Sequence, residues 1–85
     1  MVPFVVNHLR YAGLALHVSK SRRLIIRAES ELSGGSIIVD EKQRKIGKVA
    51  EIFGPVAKPY ASIIPMTSRL RRVIGNRVFF IVRAR

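Results

Sequence analysis

The stretch KIGKVAEIFGPVAKPYASIIP, residues 45–65, decides the fold. Residues 45–53 contain isoleucine, valine and phenylalanine at four of nine positions, and these side chains favour a strand over a helix. Gly54 and Pro55 end this run, and a second apolar run, residues 60–64, ends at Pro65. The stretch therefore predicts two β-strands joined by a loop that contains two prolines.

A helix is the alternative for the first of these runs, because Ile46, Val49 and Ile52 are spaced three residues apart. The segment also contains Gly47, however, and it lacks the usual helix-capping residues. A β-bulge near Gly47 explains the shift in the apolar pattern more simply. We therefore predict a bulged strand over residues 45–53.

Four further runs of strand-forming residues lie on either side of this pair, at residues 14–18, 24–28, 37–39 and 77–83. Polar turns separate them about every ten residues. Six short strands of this kind predict an all-β fold. A small closed or nearly closed barrel is favoured, because closure leaves no strand edge exposed.

Eighty-five residues form a single domain, which we expect over residues 13–85. Residues 1–12 are expected to be a flexible tail or an added edge strand. The apolar start of the chain is short and interrupted by Pro3, so neither a signal peptide nor a membrane span is expected. The absence of cysteine excludes disulfides and favours a reducing, cytoplasmic location.

Positive charge dominates the composition, with sixteen Lys and Arg against five Asp and Glu and a net charge of +11. Such an imbalance is typical of proteins that work among polyanions, most often RNA. The densest cluster lies in the loop 66–76. It supplies the candidate phosphate contacts Arg69, Arg71 and Arg72, and Arg77 follows the loop. The alternative is a solvated surface without a ligand.

The residues offer little for catalysis, a metal or a cofactor. His8 and His17 are the two histidines, expected in the tail and on a strand surface, and there is no cysteine to join them as a ligand. The glycine-rich segment 33–36 lacks the lysine of a phosphate-binding loop. We therefore expect a protein that is not an enzyme and that needs neither metal nor cofactor.

The adjacent Phe79 and Phe80 lie between Arg77 and Arg83, an arrangement that could stack RNA bases. A core as small as this one needs its phenylalanines, however. Burial is therefore the favoured interpretation of the pair.

The loop IFGPVAKPY, residues 52–60, combines two prolines and a glycine with four large apolar side chains. Proline restricts the loop, so the apolar side chains are held in a fixed arrangement that suits protein docking. In the alternative interpretation these residues only close the barrel, with Val49 and Phe53 as the candidates for that role.

Residues 47–60, GKVAEIFGPVAKPY, closely resemble the G-x-V-x-[DE]-I-F-G-P-V-x-x-P-Y signature of the Gar subunit of H/ACA ribonucleoproteins, in its archaeal, core-only form. The resemblance extends over roughly residues 13–83 and includes the run 24–27, the Val39-Asp40 pair and the closing run 77–80. It implies a six-stranded barrel similar to the second domain of translation elongation factors.

The resemblance also implies a function. The chain would be a non-catalytic subunit that docks on the catalytic domain of a dyskerin-type pseudouridine synthase. There it would aid the loading and release of substrate RNA during rRNA modification and ribosome biogenesis. Contacts with the guide RNA and the other small subunits would be indirect, with weak non-specific RNA binding. The docking residues carried over are Ile52, Phe53, Gly54, Pro55, Val56, Pro59 and Tyr60.

A second hypothesis is a small basic ribosomal or translation-associated barrel that binds RNA directly through the four arginines at positions 69, 71, 72 and 77. The proline-containing loop favours the first hypothesis, since an RNA-binding protein has no need of a stiff apolar protrusion. The net positive charge favours neither of the two hypotheses. The Gly-Arg-rich tails of eukaryotic relatives are missing, and the stretch 69–72 is more cationic than expected of the family.

Overall fold

The computed structural model describes residues 7–83, with the backbone alone at Asn7, His8 and Arg83. Six strands form a closed barrel in the order β1-β2-β5-β4-β3-β6, and every neighbouring pair is antiparallel. The strands are β1 (Asn7–Val18), β2 (Leu24–Ala28), β3 (Ile37–Val39), β4 (Lys45–Phe53), β5 (Tyr60–Pro65) and β6 (Arg77–Arg83), with a 3₁₀ helix at Leu70–Val73. The predicted all-β, six-stranded barrel is confirmed.

The bounds of β2, β3, β4 and β6 are those predicted, whereas β1 begins seven residues earlier than expected, at Asn7 instead of Leu14. Residues 7–11 pair with β6, from Asn7 opposite Arg83 to Tyr11 opposite Phe79. Of the two expectations for residues 1–12, a flexible tail or an added strand, the second therefore holds for residues 7–11. The alternation of apolar and polar residues in the first half of β1 is weak, because the fully buried Ala12 is small and Leu9 is exposed. The expectations for residues 1–6 lie outside the described residues.

The barrel interior is filled by branched aliphatic side chains from every strand except β1, which contributes Ala12 and Ala15. The largest fully buried side chains are Leu24, Ile26, Ile38, Val39, Ile46, Val49, Ile63 and Val78. Two long connections add to this core at its ends. Leu32 enters it from the β2–β3 connection, and Leu70 and Val73 from the β5–β6 connection. Each connection therefore closes the barrel as well as joining two strands.

Strand β4 carries the predicted irregularity. Ile46 is the extra residue in its pairing with β3, and Ala50 is a second one in its pairing with β5. A side chain at Gly47 would clash with the backbone carbonyl of Ile64, so glycine lets β4 and β5 approach each other. Bulges bend a strand and increase its twist, and the last three residues of β4 are exposed.

The antiparallel order divides the loops between the two ends of the barrel. The connections 19–23, 40–44 and 66–76 lie at one end, which we call the basic end. The connections 29–36 and 54–59 lie at the other end, which we call the proline-loop end. The two surfaces that the sequence singled out are therefore on opposite ends of one small barrel.

Candidate docking loop and basic end

The aromatic rings at the two sides of the proline loop stack on each other. The ring centroids of Phe53 and Tyr60 are 5.8 Å apart, with 29° between the ring planes. Gly54 lies between them with φ of +92°, and a Cβ atom there would lie 2.9 Å from Cδ2 of Tyr60. Glycine is therefore required at this position both by the backbone conformation and by the nearby ring.

Two backbone hydrogen bonds fix the loop that follows. The Lys58 N–H donates to the Pro55 carbonyl at 3.1 Å, which closes a tight turn with Val56 at its tip. The Ala28 N–H donates to the Pro59 carbonyl at 3.0 Å, which ties the loop to the end of β2. The loop is therefore held at its turn and at its base.

This rigid loop presents apolar side chains to solvent. Ile52 is 42% exposed, Phe53 is 43% exposed and Val56 is 99% exposed. Of the two residues considered for closing the barrel, Val49 is buried and does so, whereas Phe53 is not. Several exposed apolar side chains close together in the sequence, on a backbone held by hydrogen bonds, are typical of a protein interaction site.

All seven predicted docking residues belong to this surface. Gly54 and Pro55 are exposed with the three apolar residues, and Pro59 and Tyr60 are half-buried at the base of the loop. Beside it lies a cleft lined by Arg27, Ala28, Glu29, Ala57 and Lys58, which the sequence did not predict. Its two halves are about thirty positions apart, so only the β2–β5 pairing brings them together.

At the basic end, the 3₁₀ helix holds the arginine cluster in place. Leu70 and Val73 are buried in the core, so the intervening Arg71 and Arg72 lie on the exposed side. The Arg69 N–H donates to the Thr67 hydroxyl at 3.2 Å. The side-chain amide of Asn76 donates to the Arg72 carbonyl at 3.1 Å. The predicted loop is thus a short ordered element that displays its arginines.

Three adjoining clefts surround this helix, and Arg72 lines all of them. One lies between Arg72 and the β3–β4 connection and includes Arg44 and Lys45. Another adds Arg22 from the β1–β2 connection. A third reaches Arg77, which completes the set of predicted phosphate contacts. Arg22, Arg44 and Lys45 were not predicted from the sequence, although their positions in, or next to, hairpin loops at the same end could have indicated them.

The β1–β2 and β3–β4 loops share one conformation. Each has a residue with φ of +65°, Arg22 and Gln43 respectively, just before the loop closes. In the first, the Ser19 N–H donates to the Arg23 carbonyl at 2.8 Å. In the second, the Asp40 N–H donates to the Arg44 carbonyl at 3.0 Å. Both tight loops therefore carry an arginine at a fixed place.

Asp40 organises the second of these loops. Its carboxylate accepts the backbone N–H groups of Lys42 and Arg44, each at 2.9 Å, and the Arg44 Nε at 2.8 Å. Burial opposes ionisation, but the hydrogen bonds from Arg44 and Lys42 outweigh it and hold the pKa of the Asp40 carboxyl below its usual value. Asp40 is therefore ionised at neutral pH and stabilises the turn.

The phenylalanines of β6 have different environments. Phe80 is half-buried and packs against the core, in agreement with the favoured interpretation. Phe79 packs edge-on against Tyr11, with ring centroids 5.9 Å apart and 62° between the planes. The Tyr11 hydroxyl in turn donates to the Glu29 carboxylate at 3.0 Å. Both rings thus have partners within the chain.

Within the part of the chain that the structure describes, no group of three or more His, Cys, Asp or Glu side chains is placed to hold a metal ion. His17 is exposed on β1, as expected, and the side chain of His8 lies outside the described residues. Among residues 7–83, no helix has the length and apolar character needed to cross a membrane.

Comparisons with known proteins agree with this architecture. A family model described as the Gar1/Naf1 RNA binding region matches residues 12–84. The structure of the Gar1 domain of Naf1 superimposes with a TM-score of 0.74 over 96% of this chain and 98% of that one, at 22% identity. At this identity, the likeness shows the fold.

Two archaeal relatives are more similar in sequence. An uncharacterised protein of Methanocaldococcus jannaschii is 49% identical over 51 residues, which are 60% of this chain and 62% of that protein. The match thus spans less than two thirds of that relative's length. An uncharacterised protein of Methanothermobacter thermautotrophicus is 34% identical over 70 residues, 82% of this chain and 76% of that protein. The family match and the barrel confirm the resemblance carried by residues 47–60, and the chain belongs to the Gar1/Naf1 RNA-binding family, which is associated with H/ACA ribonucleoproteins.

Proposed function

We propose that this chain is a non-catalytic accessory subunit of an H/ACA pseudouridylation particle. In this proposal the proline loop docks on the catalytic domain of a dyskerin-type pseudouridine synthase in the cytoplasm. The observation that carries the proposal is the rigid, exposed apolar surface formed by Ile52, Phe53 and Val56.

The energetics of the loop support a docking role. Leaving Val56 almost fully in water gives no folding advantage, because an apolar side chain stabilises a protein only when it is buried. Burial of Val56 against a partner supplies the favourable free energy of removing this side chain from water. The loop is also held by the Phe53–Tyr60 stack and two hydrogen bonds, so little conformational entropy is lost on binding.

The chain then acts on modification indirectly. A subunit that docks beside the synthase active site changes how the synthase holds and releases its substrate RNA, and leaves the chemical step to the synthase. We therefore propose that it raises multiple turnover of guide-directed pseudouridine formation. Family membership favours this function over that of a ribosomal or translation-associated barrel.

The proposal is tested by matched apolar-to-acidic substitutions at the two ends of the barrel. Ile52→Asp changes a 42% exposed side chain at the end of β4 that leads into the proline loop, and Ile74→Asp changes a 39% exposed one at the basic end. For an interface anchor, Ile52→Asp should cost at least about 2 kcal/mol of binding, roughly 30-fold in Kd. The measurements are calorimetric affinity for the synthase and the multiple-turnover modification rate.

The expected result is that Ile52→Asp binds weakly and slows turnover, whereas Ile74→Asp binds and stimulates like the wild type. If instead Ile74→Asp binds weakly and Ile52→Asp binds like the wild type, the docking face lies at the basic end and the proposal is wrong. Circular dichroism of both variants checks that each remains folded.

A further inference from the structure

We propose that the basic end of the barrel is a binding site for the phosphate backbone of RNA, and that this site stays open when the proline loop is docked. The site goes beyond the docking function, because it lies on other loops and has another kind of partner. It would let one small subunit hold a protein at one end and RNA at the other.

The charge is concentrated at this end. The three connections of the basic end and the strand residues next to them contain two acids, Asp40 and Glu41, and ten basic residues: Lys20, Arg22, Arg23, Lys42, Arg44, Lys45, Arg69, Arg71, Arg72 and Arg77. The two connections at the proline-loop end contain the acids Glu29 and Glu31 and one basic residue, Lys58. Ten bases less two acids leave +8 at the basic end, which is most of the chain's net charge of +11.

Few of these cations are neutralised within the protein. Among residues 7–83, two ion pairs form, Arg44 with Asp40 at 2.8 Å and Arg77 with Glu41 at 3.4 Å. The other eight basic side chains of this end have no acidic partner in the described part of the chain. Gathering like charges in this way is unfavourable unless a polyanion compensates it.

The clefts give this charge a definite shape. The first cleft is lined by Arg44, Lys45, Arg69 and Arg72, together with Thr67 and with Asp40, whose carboxylate pairs with Arg44. The adjoining cleft continues along Arg22 and Arg71. Guanidinium groups bind phosphate through paired hydrogen bonds, so two clefts that share Arg69 and Arg72 suit the phosphates of one strand.

The lining of the clefts favours RNA over an acidic protein. No aromatic side chain lines either cleft, so bases have nothing to stack on and the backbone is the part of RNA that is recognised. The anchors of a protein interface are apolar or aromatic, and here Leu70 and Val73 are turned into the core. The family model, that of an RNA-binding region, agrees with this choice.

The test is a salt titration of the full chain with fluorescent single-stranded polyuridine RNA and with an RNA hairpin. About four phosphate contacts predict a slope of log K against log salt of roughly −3 for the single strand. Arg69→Gln with Arg72→Gln should make that slope shallower by about 1.4, since two contacts are lost. The matched control, Arg27→Gln with Lys58→Gln, removes the same charge from the proline-loop end and should leave the slope unchanged.

The proposal is overturned by equal loss of RNA affinity in both double variants, or by equally effective displacement of RNA by polyglutamate of the same total charge. The hairpin arm decides whether single strands or duplexes bind more tightly, and failure of both RNA probes to bind also overturns it. The outcome is separable from docking. Ile52→Asp should keep wild-type RNA affinity, and the Arg69/Arg72 double variant should keep wild-type synthase affinity.

Discussion

Replacing Gly54 with alanine should distort the docking loop, and the structure sets the size of the effect. A non-glycine residue at φ of +92° costs about 1–2 kcal/mol. The added Cβ would also lie 2.9 Å from the ring of Tyr60, which must move out of its stack with Phe53. Displacing a stacked aromatic ring adds about 1 kcal/mol.

Substitutions at two other glycines allow the backbone cost and the cost of displacing the Tyr60 ring to be measured separately. Gly35 also has a positive φ, +90°, but no atom lies within 4 Å of its Cβ position, so Gly35→Ala reports the backbone cost alone. Gly34 has open space and no positive φ, so Gly34→Ala should be neutral or slightly stabilising. From most to least stable, the expected order of the variants is Gly34→Ala, Gly35→Ala and Gly54→Ala.

Thermal unfolding followed by circular dichroism measures this order. For a domain of this size, about 2–3 kcal/mol lowers the midpoint by roughly 10 °C or more, and Gly35→Ala should show about half of that. The NMR resonances of the Tyr60 ring should shift in Gly54→Ala alone. If Gly54→Ala has the same unfolding midpoint as Gly34→Ala and the Tyr60 resonances are unchanged, the loop is not held by the contacts described.

Two further predictions concern the basic end. Asp40→Asn should lower the free energy of unfolding by about 1 kcal/mol at neutral pH. Because the folded-state pKa of Asp40 is depressed, its contribution is present above the unfolded pKa of about 3.9 and is lost as the pH falls through the lower, folded-state value. Denaturant midpoints of wild type and variant should therefore converge in acid, and a gap that persists in acid would exclude this role. Leu70→Ala should cost about 2–4 kcal/mol by leaving a cavity beneath the 3₁₀ helix, whereas Ile74→Ala, at a partly exposed position, should stay within about 0.5 kcal/mol in the same urea titration. Equal costs would mean that the helix is not anchored through Leu70.

Much of the fold could be predicted from local sequence, because five strands carry β-branched runs between clear turn signals. The first half of β1 could not, since the buried Ala12 is too small to mark an inward face and the pairing with β6 joins the two ends of the chain. Local patterns also cannot show that Leu32 and Leu70 enter the same core from opposite ends, because closure of the barrel decides this.

The two candidate surfaces also differ in how far the sequence alone predicts them. The exposed apolar side chains at the proline loop could be predicted because their residues are contiguous in the sequence and the loop's geometry is local. The basic end was predicted only in its 66–77 segment. Arg22, Arg44 and Lys45 join it because antiparallel strands place alternate connections at the same end, a step that the interpretation of local patterns left out.

Co-purification of this chain with its cognate synthase after thorough nuclease treatment tests the central claim most directly. Docking through the proline loop predicts that the two proteins remain together without RNA, and that Ile52→Asp abolishes this while the Arg69→Gln/Arg72→Gln variant preserves it. Loss of the wild-type complex on nuclease treatment would contradict the account, because the association would then depend on RNA and not on the loop.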